Sequence, residues 1–126
     1  DVERYLNDSA VSFQALGGGL FIVSDANSGL RNLAIQVSDE VVVFQLKVME
    51  MPAPGPARER LYEQLLRLNG SGLLHAAFGL QSDGIYLQAA LPLANLDPNE
   101  LQAVLDDIGM ARAQHVPQLE KSEEAN

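Results

Sequence analysis

Residues 61–93 read LYEQLLRLNGSGLLHAAFGLQSDGIYLQAALPL, and this stretch leaves few folds open. Leu61, Leu65 and Leu68 fall on one stripe with Tyr62 and Leu66 beside it, the spacing of an amphipathic helix. Pro56 suits the first turn of that helix, where a missing N–H is harmless. Asn69-Gly70 tolerates the left-handed conformation and predicts the helix end. The period then changes from helical to alternating. Leu74, Ala76, Phe78 and Leu80 share one face, as do Ile85, Leu87 and Ala89, which predicts strands over 73–80 and 85–91. Asp83-Gly84 joins them as a hairpin turn that wants positive φ, and Pro92 ends the sheet. The rest of the chain reads as the strands and helices that cover this unit.

Upstream, Val2, Tyr5 and Leu6 are spaced as on one helix face and Asn7-Asp8-Ser9 breaks it. Residues 11–15 alternate as a half-buried strand, and Gly17-Gly18-Gly19 turns the chain into a second strand over 20–23. No lysine with serine or threonine follows these glycines, and a strand comes next, so they are a hairpin turn and not a phosphate loop. Residues 25–29 form another turn cluster before a third strand over 33–37. Residues 41–50, VVVFQLKVME, are the longest strand. Val42, Phe44, Leu46 and Val48 point one way; Val41, Val43, Gln45, Lys47 and Met49 point the other. A strand apolar on both faces at its start is central, or its second face is covered by something else. Val41, Val43 and Met49 are therefore the candidate partner-binding residues. The stripe Leu61, Leu65 and Leu68 reads as core, with a dimer seam as the alternative.

The last helix opens at Asp97 as N-cap, with a first-turn proline and Glu100 placed for a capping box. Leu101, Val104, Leu105, Ile108 and Ala111 form its buried stripe. Pro117 should bend or end it, and 121–126 read as a polar, disordered tail after a single domain over 1–120. The expected class is α+β: one antiparallel sheet flanked by helices in the order α-β-β-β-β-α-β-β-α.

Chemistry is sparse. The chain has no cysteine, which excludes disulfides and thiolate sites. Neither His75 nor His115 has a second ligand at metal-binding spacing, and Asp106-Asp107 point apart on a helix and read as a solvated face. No catalytic residue, cofactor or metal is expected, and an enzyme is not the reading. A net charge of −9 repels nucleic acid and anionic lipid, and no apolar run is long enough to insert into a membrane.

The residues 65–69, LLRLN, then FGL at 78–80, DGIYL at 83–87, LPL at 91–93, Leu96-Asp97 and Leu101 resemble the YbjN-like family and the Tir-chaperone, type III secretion chaperone-like fold. Residues 25–33 look like that family's N-terminal half. The resemblance implies a non-enzymatic protein–protein interaction module, a chaperone or adaptor linked to stress response or signalling. It implies a bacterial, cytoplasmic setting, a protein client or regulatory partner, and a homodimer. A dedicated type III secretion chaperone for one effector and a small-ligand-sensing regulatory domain are the alternatives.

Overall fold

A computed structural model describes residues 1–9 and 11–124. Its elements run α1 (Val2–Asp8), β1 (Phe13–Gly17), β2 (Leu20–Asp25), a short 3-10 turn, β3 (Leu30–Val37), β4 (Val41–Glu50), α2 (Pro56–Ser71), β5 (Ala77–Gln81), β6 (Gly84–Pro92) and α3 (Pro98–Glu124). The six strands form one antiparallel sheet in the order β1-β2-β3-β4-β6-β5. The expected element order and the central place of β4 both hold.

One face of the sheet makes the core. Phe21, Val23, Leu33, Ile35, Val42, Phe44, Leu46, Phe78, Ile85 and Leu87 are buried there against residues of all three helices. The α3 stripe of Leu101, Val104, Leu105, Ile108 and Ala111 is buried as its spacing predicts. The Asp97 carboxylate accepts the Glu100 N–H at 2.8 Å, so the N-cap forms. Glu63 and Arg67, four residues apart, form an ion pair at 2.9 Å on the solvent side of α2, worth only about 0.2–0.5 kcal/mol.

Several boundaries differ from the sequence expectation. The α2 helix passes through Asn69-Gly70 to Ser71, and its cap, Gly72, is right-handed at φ −108°. The Asn69 side chain is used elsewhere, as described below. Hairpin strand β5 starts only at Ala77, so His75 sits in the preceding loop and not in a strand. The hairpin loop is Ser82-Asp83, flanked by the pair Gln81 and Gly84, and neither loop residue has positive φ. Gly84 is required for another reason: a Cβ there would collide with the Met49 carbonyl oxygen on the neighbouring strand. The 17–19 glycines do form a turn, all three at positive φ.

Two larger corrections concern named candidates. The β4–β6 register shifts between Lys47 and Met49. This irregularity returns Met49 to the core face, where it is 6 % exposed opposite Ile85, so it is not on the partner face. Leu61 and Leu65 are spent inside the core, and Leu68 is half-buried against it. The first two therefore cannot make a dimer seam. Finally, Pro117 does not end α3; the helix continues to Glu124 and buries Val116 and Leu119 on either side of the proline. Residues 121–124 of the expected tail are thus helical, and 125–126 lie outside the described residues.

Candidate functional site

The second face of the sheet carries no helix among the described residues. The alternation that buries Val42 and Phe44 turns Val41, Val43 and Gln45 to this side. Across the ladder, Val43 faces Gln36 and Ala90, and Ala34 faces Ile22 and Gln45. Leu20, Ile22, Ala34, Val41 and Val43 are half-buried by their neighbours alone, while Gln36 and Ala90 are exposed. The result is an apolar strip over β2, β3 and β4, flanked by amide side chains. Val41 and Val43 are where the sequence places them.

The two edges of the sheet differ more sharply than its faces. On β5, the outward backbone groups of Phe78 are occupied by a side chain. Asn69 accepts the Phe78 N–H at 2.7 Å and donates to the Phe78 carbonyl at 3.1 Å, so its amide imitates a neighbouring strand. Just upstream, the Asp107 carboxylate on α3 accepts the N–H of His75 at 2.7 Å, of Ala76 at 2.8 Å and of Leu74 at 3.4 Å. Asp107 is no solvated residue; it fastens the α2–β5 loop. Asp106 beside it accepts from Gln102 at 2.8 Å and does face solvent.

Among the described residues, β1 has no such cover. Ser12 accepts the Ser24 N–H at 3.0 Å, so alternate residues Phe13 and Ala15 direct their N–H and C=O away from β2. No described residue bonds to those outward groups. The strand, FQALG, has no charge and no proline, the two common means of blunting an edge, and Leu16 is 51 % exposed. The alternation at 11–15 predicts a half-buried strand without marking it as an edge, although the lack of charge and proline is the available signal. Asn69 and Asp107 were hidden, because a helix stop and a solvated acid are the commoner roles for those residues.

At the far end of the hairpin, Lys47 bridges Glu50 at 3.0 Å and Asp83 at 3.5 Å, and the Tyr86 hydroxyl donates to Asp83 at 2.9 Å. That hydrogen bond, with Lys47 nearby, holds the Asp83 carboxyl below its ordinary value. Desolvation first, and Asp83 second, push Tyr86 up; the Glu50 contact raises Lys47. A depressed carboxyl contributes stability above its unfolded value and loses it as pH falls through the folded one. The cluster should therefore loosen below the ordinary carboxyl value of 3.8. Asp83→Asn is expected to flatten the acid limb of Tm against pH; an unchanged limb would refute the assignment. The charged groups Lys47, Glu50 and Asp83 are solvent-facing, so the effect is small.

The described residues hold no group of three or more histidines and carboxylates placed for a metal ion. The His115 Nε2 atom is buried without a hydrogen-bond partner. No helix among the described residues is long and apolar enough to cross a membrane.

An antiparallel sheet backed by three helices, with one bare edge, is a geometry to which an extended strand can be added. The family model CesT_Tir_1 matches residues 1–124, and the chain belongs to that family. Among solved structures, it is similar to SpcU in the heterodimeric complex ExoU-SpcU from the type III secretion system of Pseudomonas aeruginosa. That match has a TM-score of 0.75 at 17 % identity and covers 96 % of this chain and 99 % of the other. YbjN from E. coli matches with a TM-score of 0.61 at 18 % identity, covering 89 % of each chain. No curated protein sequence matches. The resemblance read from the leucines and turns of residues 65–101 is thereby borne out, as is the fold class.

Proposed function

We propose that the chain is a non-enzymatic, chaperone- or adaptor-like module of the bacterial cytoplasm that holds an extended segment of a protein client. The observation that carries this reading is the open edge of β1. Main-chain groups of Phe13 and Ala15 offer affinity to an added strand, and the apolar strip from Ile22 to Val43 offers a surface to the client segment that continues from that strand across the open face. Family membership and the pairing of SpcU with a different protein support it. A dedicated secretion client is one form of this function and a stress or signalling partner another.

The test uses tagged full-length protein and the partner it retains from native lysate. In the complex, the amides of Phe13 and Ala15 should gain protection from hydrogen exchange. Ala15→Pro removes one outward N–H while sparing the bonds to β2, and should weaken retention about tenfold, near 1.4 kcal/mol. Val43→Asp should weaken it as well. Protection confined to other surfaces, or retention unchanged in both variants, would sink the proposal.

A second copy has its own surface. A groove of about 150 Å³ between α2 and β5 is lined mainly by Tyr62, Leu65, Leu66, Phe78 and Leu80, with Asn69 at one side. Leu66 is 71 % exposed and Leu80 50 %. A homodimer seam is built here on Tyr62, Leu66 and Leu80, and not on Leu61, which is buried in the core.

A further inference from the structure

The chain has 8 basic side chains against 17 acidic ones, and most of the described bases are already engaged. Arg4 and Arg58 lie over the rings of Tyr5 and Tyr62, Arg67 pairs with Glu63, and Lys47 pairs with Glu50 and Asp83. Arg31 and Arg112 make no hydrogen bond or ion pair with any described residue. Both line the same open cleft of about 400 Å³, where β3 begins, β4 ends and the second half of α3 passes over them. Asn32 and Lys47 add donors to it; Glu50 and Glu120 stand at its sides. Asn32 is held at φ 58°, with its N–H bonded to the Ser24 hydroxyl at 3.0 Å and its Oδ1 accepting from that hydroxyl at 3.2 Å. Its amide nitrogen is left as a fixed donor.

Two guanidiniums that line one cleft and pair with neither carboxylate lining it, Glu50 or Glu120, are left able to take an acidic group from outside. Arginine forks match carboxylates in a bidentate manner. The flanking Glu50 and Glu120 repel a doubly charged phosphate more than a single carboxylate placed between the arginines. We infer that this cleft receives an acidic stretch of the client segment, and the inference rests on the strand-addition reading above. The distances agree. Phe13 of β1, the Asp25 end of β2 and the Leu30 end of β3 lie at the same end of the sheet as the cleft. A strand added to β1 lies three strand spacings from β3, roughly 14 Å, which about four or five extended residues cover. An acidic residue at that remove from the client's paired strand reaches Arg31.

The test needs no client. The ¹⁵N-labelled full-length protein is titrated with hexaglutamate at about 0.15 M salt, where screening within about 8 Å confines the response to local charge. Amides of Arg31, Asn32, Glu50 and Arg112 should shift together. The double variant Arg31→Glu with Arg112→Glu should bind about tenfold or more weakly, and Arg31→Gln with Arg112→Gln should weaken binding without charge reversal. Ala15→Pro should bind the peptide as the parent does, so failure at the β1 edge and failure here are separable. Shifts spread over the surface, binding that survives both double variants, or inorganic phosphate acting on the same amides at lower concentration would overturn the assignment.

Discussion

Asp107→Ala should lower the stability of the domain by about 2–3 kcal/mol, the largest loss expected from any single polar change in this chain. Its carboxylate accepts three consecutive backbone N–H groups, those of Leu74, His75 and Ala76. Hydrogen bonds to a charged acceptor are worth about 1.5–3 kcal/mol each when lost outright. The sum is not three times that, because Leu74 and His75 are exposed and water replaces the carboxylate there. Ala76 is 8 % exposed and has no such replacement, so its donor carries most of the cost. Urea unfolding followed by circular dichroism reads the change directly. Asp107→Asn keeps one acceptor and should fall between the two proteins. A loss below about 0.5 kcal/mol, the range of ordinary surface changes, would refute the role.

Pro117→Ala should act in the opposite direction and raise stability by about 2 kcal/mol. A proline inside a helix costs roughly 3 kcal/mol relative to alanine, because it removes the bond to the carbonyl four residues back and its ring presses on that carbonyl. Against this stands the stiffness proline gives the unfolded chain, worth about 0.4–1 kcal/mol. Pro117 is exposed, so no core contact is lost with it, and the burial of Val116 and Leu119 holds the helix across it. The same urea measurement decides the matter. A variant no more stable than the parent would mean that the ring packs in a way its exposure does not show.

Much of the architecture was legible because period and punctuation agreed. Strand β4 was read to the residue, since ten residues of β-branched and apolar alternation allow nothing else. The α3 stripe and its Asp97 cap were legible for the same reason. Met49 was misplaced because strict alternation has no means of announcing a register irregularity two residues earlier. Asn69-Gly70 carried a stop signal that tertiary structure overrode: the Asn69 amide gains more by pairing with Phe78 than by ending the helix. Of the candidate site, Val41 and Val43 were visible as surplus apolar residues. The contrast between the two sheet edges was not, because it depends on which distant side chains, 69 and 107, reach β5. Likewise, Arg31 and Arg112 are eighty-one positions apart in the sequence, and only the packing of α3 against β3 brings them to one cleft.

The unequal edges also set a limit on growth. A sheet with two bare edges can add strands from both sides and propagate without end, as fibrils do. Here Asn69 and Asp107 occupy the outward groups at 76 and 78, and β5 retains only the short remainder around Leu80. Growth is therefore directed to the β1 side, and pairing of β1 with the β1 of another molecule uses up the main bare edge of both copies in a single step. The fold is sticky on one side only, and so its assemblies close.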